Sequence, residues 1–371
     1  MTSIDLINCN ALKGSVTISQ KGLTLPCCQF IVPIDDNNTS GVNDFYSIYK
    51  NNSLNDAFDN WSNTSINCAT CIYEEANDIK SLRDFWNWKI PTPANKIEYL
   101  EVSLDFTCNM MCRSCGPSQS SKWNGSDILI EMADLYNDTW GAYQKNPGSR
   151  DYTKALIHNI KNTDLTGLKQ VILVGGEPLY SKSLPWFINY IKENTDCRKI
   201  KLVTNGSLIP NPDLFEGFDL EIQVSIDAIG DLASAIRMKV PFETIDKNIR
   251  AMKKLYDVSV HSTISILNIN KMQELLDYCV DVGVVQNTML LHDPEWLTVK
   301  LIPNKFRDRW HLEHKKIYPE IRIKKYLGVD YHHSPKLVKA FLKSIELTDR
   351  ESEIKFRDVN PEIMEIMETL L

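Results

Sequence analysis

Three cysteines, Cys108, Cys112 and Cys115, fall inside eight residues, in the stretch DFTCNMMCRSCGP. Thiolates are soft ligands, and a cluster of them suits zinc or an iron–sulfur group. A closed structural zinc site wants four ligands, so one loop supplies three-quarters of it. In an iron–sulfur cube each thiolate binds its own iron, and three thiolates leave one iron open. An open position on a metal is where chemistry takes place. A second group comprises Cys9, Cys27, Cys28, Cys68 and Cys71. Five thiols are enough for a complete four-thiolate site without help from the first group. Of the other two, Cys279 shares helical spacing with Met272, Leu275, Leu276 and Val280 and reads as a small buried hydrophobe. Cys197 has no partner in the pattern and is given no role.

The elements that must position these groups are legible. Runs rich in Val, Ile and Leu occur at 97–104, 170–175, 199–204, 220–226, 258–264 and 287–292. Helical stretches separate most of them. In PFETIDKNIRAMKKLYD, Phe242, Ile245, Ile249, Met252 and Leu255 recur every three or four residues, as on a helix burying one face. Strand–helix alternation predicts a parallel sheet. Six units are too few to close an eight-fold barrel. The expected fold is therefore α/β, a partial, open (β/α)6 TIM-like barrel over residues 95–303. A small Cys-rich module precedes it at 1–94, and a helical C-terminal tail follows at 304–371. In that tail, Ser334-Pro335 and Asn360-Pro361 read as N-caps followed by proline in the first helical turn.

Polar oddities cluster at the strand ends. The three-cysteine loop follows the first strand, Gly175-Gly176-Glu177-Pro178 the second, Thr204-Asn205-Gly206 the third and Ser225-Ile226-Asp227-Ala228 the fourth. In a parallel barrel these ends share one face, and that face holds the active site. Each feature also has a plainer reading. The glycines suit a tight turn. Glu177 and Asp227 suit helix caps. Arg237 suits a surface ion pair, and Thr204 and Asn205 suit turn formation.

Cys108-x3-Cys112-x2-Cys115 after a first strand resembles the signature of the radical S-adenosylmethionine (SAM) superfamily, and GGEP and SIDA follow in the matching order. The resemblance implies an enzyme whose [4Fe–4S] cluster binds and reductively cleaves SAM. The resulting 5′-deoxyadenosyl radical takes a hydrogen atom from substrate. It implies that Cys108, Cys112 and Cys115 hold that cluster. Gly175, Gly176, Glu177, Ser225, Asp227, Arg237 and Asn268 would contact SAM. The N-terminal cysteines resemble the auxiliary-cluster modules called SPASM or twitch, here placed before the barrel rather than after it. That implies a second [4Fe–4S] cluster on Cys9, Cys27, Cys68 and Cys71, with Cys28 as the substitute for Cys27 and structural zinc as the alternative.

Such modules accompany peptide modification or alcohol oxidation, the favoured substrate reading. Modification of a sugar, nucleotide or other small molecule is the alternative within the superfamily. A non-catalytic iron–sulfur or zinc scaffold is the alternative outside it. The catalytic residues and the substrate are not named by the sequence. An electron donor such as flavodoxin or ferredoxin is expected. The net charge of −7 gives no electrostatic case for nucleic acid. No signal peptide or membrane-spanning run is read, so a cytoplasmic location is expected, where thiols stay reduced.

Overall fold

The computed structural model describes residues 8–19, 22–30, 47–59, 67–76, 80–136, 152–314 and 331–371. Residues 137–151 lie outside these residues. The chain divides into two units. The first comprises 1–107, 149–202 and 210–221, and the second 108–148, 203–209 and 222–371.

The first unit holds β1 (Ser15–Ile18), β2 (Thr24–Leu25), β3 (Tyr99–Ser103), β5 (Gln170–Val174) and most of β6 (Lys199–Thr204), while β4 (Met111–Cys112) falls in the second. The order is β2-β1-β3-β5-β6, parallel throughout except for the β1–β2 hairpin. Expected strands β3, β5 and β6 are present, in sequence order and parallel. The open sheet also continues past them. The segment assigned to the N-terminal module contributes β1 and β2, and β1 pairs with β3 along Ser15–Tyr99 to Ile18–Val102. Alternation explains why these residues form strands. Val16, Ile18, Leu100, Val102, Val171, Leu173, Ile200 and Leu202 point to one face and are fully buried. The other face carries a lateral row, Thr17–Glu101–Ile172–Lys201, fixed by the register. The helices Thr153–Lys161 and Leu184–Asn194 connect β3 to β5 and β5 to β6.

The second unit holds the end of β7 (Asp219–Ser225), the short β4 and β8 (Arg237–Met238), β9 (Asp257–Ile264) and β10 (Val285–Leu290). β9 and β10 run parallel, with Val285 against Ser259 and Leu290 against Ile264. The helix Phe242–Met252 buries Phe242, Ile245, Ile249 and Met252, as the spacing requires. It stops there, so Leu255, expected on its buried face, is exposed. Likewise Cys279 is buried in the helix Met272–Val282, but its neighbour Val280 faces solvent. The described part of the tail is helical. Ser334 caps Pro335–Glu351, its side chain accepting from Leu337 N–H. The helix Pro361–Glu368 buries Ile363, Met364, Ile366 and Met367. Asn360 makes no side-chain cap; its amide pairs instead with Asn270 at 3.1 Å. No described helix is long and apolar enough to cross a membrane.

Candidate metal and cofactor site

In the second unit the three-cysteine loop is pinned by backbone. Its middle, β4, forms an antiparallel ladder with β8 that sets Cys112 opposite Arg237. Arg113 N–H donates to Ile236 O at 3.0 Å, and Cys115 N–H to Cys112 O at 3.1 Å. Cys108 N–H donates to Ser121 Oγ at 3.1 Å. The Cys108 sulfur accepts from Met110 N–H at 3.5 Å and from Asn205 Nδ2 at 3.7 Å. Cys112 is buried, and Cys108 and Cys115 are half-buried. Cys112 and Cys115 share a hydrogen bond that pushes the Cys112 thiol up and the Cys115 thiol down. The Arg237 charge favours the thiolate at both.

Asp227 and Arg237 stand together beside this loop. Arg237 Nε donates to Asp227 Oδ2 at 2.7 Å. Burial works against the guanidinium charge, but Asp227 and the neighbouring thiols hold its pKa above the ordinary value. Asp227 is 3% exposed and its second oxygen accepts from Thr263 N–H at 2.8 Å. Asp227 therefore does not cap the helix Gly230–Ile236, whose N-cap position is Ile229. The ion pair expected for Arg237 exists, with Asp227 buried and Arg237 half-buried rather than at the surface.

Asn268 is fully buried, and its side chain serves backbone. Its amide donates to Asp227 O at 2.8 Å and Thr263 O at 3.0 Å, and its oxygen accepts from Ser265 N–H at 2.9 Å. It ties the ends of β7 and β9 together. Ser225, at the end of β7, is half-buried. The sequence reads Asn205 only as a turn-former. It does accept from Ser207 N–H at 2.9 Å, but it also reaches Asn109 Oδ1 at 2.9 Å and the Cys108 sulfur. An amide immediately after a strand that ends near a cysteine loop was the only signal for that contact.

In the first unit the GGEP turn closes against the end of β3. Gly175 has φ +124°, a region that favours glycine, and a Cβ there would lie 2.6 Å from Ser103 Oγ. A Cβ on Gly176 would lie 2.4 Å from Thr107 O and 2.5 Å from Phe106 O. Glu177 N–H donates to Thr107 O at 2.7 Å. Its buried carboxylate accepts from Leu179 N–H at 3.1 Å, so it caps the short turn Pro178–Tyr180. Asp105 completes the knot, accepting from Thr107 N–H at 2.8 Å and Ser181 Oγ at 2.6 Å.

The N-terminal thiols also gather in the first unit. Cys9 sits in a core with Ala11, Trp86, Ile90 and Tyr99, and Cys27 packs against it. Cys68 and Cys71 straddle the start of the helix Ala69–Ala76 rather than lying in a loop. Burial pushes the Cys9 and Cys27 thiols up, and Cys68 up to about 11. Cys27 interacts electrostatically with Cys9, Cys71 and Cys68. Cys28 is exposed, and its largest charge interaction is with Glu101.

Among the described residues, no three His, Cys, Asp or Glu side chains converge on a single ion. A cube makes no such demand, because each thiolate binds a different iron. The soft donor set of Cys108, Cys112 and Cys115, with a cation and an amide beside the sulfurs, fits a cube with one open iron.

No protein-family model matches the chain. It is 24% identical over 198 residues to a GTP 3′,8-cyclase of Aliarcobacter butzleri, covering 51% of this chain and 54% of the relative. It is 27% identical over 198 residues to a probable GTP 3′,8-cyclase of Methanocaldococcus jannaschii, covering 51% and 57%. The chain thus spans about half the length of the curated relatives it matches. Among solved structures, it overlays on SuiB of Streptococcus suis bound to S-adenosylmethionine with a TM-score of 0.38 and 10% identity, covering 89% of this chain and 74% of that one. The chain is thus similar to these cyclases over about half its length, and it carries the three-cysteine loop, GGEP and SIDA in the order that its resemblance to the radical SAM superfamily implies.

Proposed function

We propose that the chain reductively cleaves SAM at a [4Fe–4S] cluster held by Cys108, Cys112 and Cys115, and directs the radical to a small polar substrate. The observation that most supports this is the ladder setting Cys112 opposite Arg237, with Arg237 paired to Asp227. It keeps a cation beside the thiols, where the carboxylate of SAM would need one. When bound, the cluster supplies one electron to the sulfonium, releasing methionine and the 5′-deoxyadenosyl radical. The residues of the chain bind and orient. By the sequence resemblance, Gly175, Gly176 and Glu177 would meet the amino end of SAM; in the second unit, Arg237 would take its carboxylate and Ser225 a hydroxyl. Asn268 ties the end of β7, which carries Ser225, to the end of β9, and Asp227 holds Arg237. A second cluster on Cys9, Cys27, Cys68 and Cys71 would bind substrate or accept an electron, and a flavodoxin- or ferredoxin-type protein would supply the first one.

The names of the relatives support a nucleotide substrate. A specific observation favours the peptide reading as the second. Glu101 and Lys201 lie on one sheet face, in one row, with only Ile172 between. One acid and one base suit an amine- or amide-bearing substrate better than a triphosphate, which asks for several cations. The test is anaerobic incubation with SAM and dithionite, with and without GTP. Release of 5′-deoxyadenosine that Cys112→Ala abolishes is expected; its absence in the wild-type chain overturns the proposal. Consumption of GTP selects the nucleotide reading, and cleavage indifferent to GTP selects against it.

A further inference from the structure

Arg113 lies between Cys112 and Cys115, and its side chain is fully engaged in the second unit. It is 3% exposed. Its Nε donates to Ala235 O at 2.8 Å, one terminal nitrogen donates to Thr348 Oγ1, and the other donates to Asp349 Oδ1 at 2.5 Å. The guanidinium carbon stands 5.6 Å from the centre of the Phe356 ring. Asp349 Oδ1 also accepts from Phe356 N–H at 2.8 Å. Asp349, Arg350 and Glu351 are consecutive, and all three reach back to the surroundings of the loop. Arg350 pairs with Glu131 at 2.8 Å. Glu351 accepts from Ser126 Oγ at 2.9 Å and pairs with Lys239 at 3.2 Å, one residue beyond β8.

A buried ion pair is a poor means of adding stability, because desolvation offsets most of the attraction, and two apolar side chains would serve as well. What it does provide is direction. A guanidinium with several fixed N–H donors holds one position, whereas an apolar side chain slides. We infer that the last turn of the helix Pro335–Glu351 is a positioning element for the three-cysteine loop, acting through the buried Arg113–Asp349 pair. The inference rests on the reading of Cys108, Cys112 and Cys115 as cluster ligands. Arg113 and Asp349 are positioning residues: their side chains bond to Ala235, Thr348, Phe356 and each other, and through them they fix where Cys112 and Cys115 stand.

The test measures iron release to a chelator and thermal unfolding of the iron-free chain. It is run on full-length protein in a Cys68→Ala, Cys71→Ala background, so that all iron reports on the loop. Asp349→Asn leaves the guanidinium without its counter-charge. It should lower Tm and speed iron release about 10- to 100-fold, the usual effect of losing an outer-shell partner. The double variant Arg113→Met with Asp349→Leu replaces both partners by apolar groups, which is close to neutral for folding. Its Tm should return to the parent value while iron release stays at least about ten-fold faster. If the double variant regains both Tm and iron retention, the pair serves stability alone and the inference is overturned. If the parent takes up no iron, the cluster reading falls instead.

Discussion

Asp227, which is buried, and Arg237, which is half-buried, stand 2.7 Å apart, and the two carboxylate oxygens have different tasks. One holds Arg237, and the other accepts from the backbone of Thr263 at the end of β9. Asp227→Ala therefore does two things at once. It strands a half-buried guanidinium, which should cost up to roughly 3–5 kcal/mol of folding free energy by urea unfolding. It also frees Arg237 to swing from the position opposite Cys112. Asp227→Asn keeps the Thr263 bond and should fold better than Ala yet bind SAM as weakly. Equal SAM affinity in wild type and Asn variant would mean that the charge pair does not position Arg237.

Glu177 is both a cap and the residue assigned to the SAM amino group. Glu177→Gln separates the roles. The amide oxygen can still accept from Leu179 N–H, so folding should change by less than about 1 kcal/mol. The charge-assisted bond to an ammonium is lost, worth about 1.5–3 kcal/mol, so SAM affinity should fall roughly ten- to a hundred-fold. Calorimetric titration of the iron-loaded chain reads this directly. A variant with intact affinity would leave capping as the sole role.

Gly176 has no room for a side chain, because the atoms a Cβ would meet are the backbone oxygens of Phe106 and Thr107. Backbone cannot turn aside as a flexible side chain does. Gly176→Ala should push the GGEP turn from the end of β3 at a cost of about 1–3 kcal/mol, read as a lowered urea midpoint of the iron-free chain. A midpoint equal to that of wild type would show that the turn yields freely.

Local pattern made much of this legible. β5 and β6 begin where the Val, Ile and Leu runs begin, because a strand buried on one face must alternate. GGEP was visible because two glycines before a buried acid answer to backbone crowding that any sequence must solve. Pairing across long separations was not legible. β1 is four residues, SVTI, and its partner β3 lies some eighty residues on; nothing local says that they meet. Arg113 was invisible for the same reason, since its partner Asp349 is 236 positions away. Leu255 and Val280 failed because a three-to-four spacing marks a face but not where the helix ends, nor how narrow the buried stripe is.

Glu101 gives a pH signature. Burial raises its carboxyl from the ordinary 4.5 to about 7, against the opposing pull of Lys201. Between those values the folded chain holds a proton that the unfolded chain has released. Stability contributed by Glu101 is thus present below pH 4.5 and lost as pH rises through about 7. The loss is at most on the order of 3 kcal/mol. Urea midpoints at about pH 5 and about pH 8 should fall with pH in the wild-type chain and fall less in Glu101→Gln. Parallel declines in both proteins would place the titration elsewhere.

Cys27 and Cys28 are adjacent, yet their surroundings separate them. Cys27 packs against the core that contains Cys9 and interacts with Cys9, Cys71 and Cys68. Cys28 lies at the surface and outside that core, and desolvation of its sulfur, followed by the charge of Glu101, disfavours a thiolate there, although it too interacts with Cys27 and Cys71. If the N-terminal thiols hold a second cube, the reconstituted chain should carry about eight irons, two cubes in all. Cys27→Ala should then fall to about four, while Cys28→Ala keeps about eight. SAM cleavage without substrate should survive both changes, because Cys108, Cys112 and Cys115 belong to the other unit. Four irons with one zinc in the wild-type chain, the zinc lost in Cys27→Ala, would make the segment a structural zinc module. Iron lost in Cys28→Ala and kept in Cys27→Ala would reverse the ligand assignment, and the exposed thiol facing Glu101 would be the one that binds.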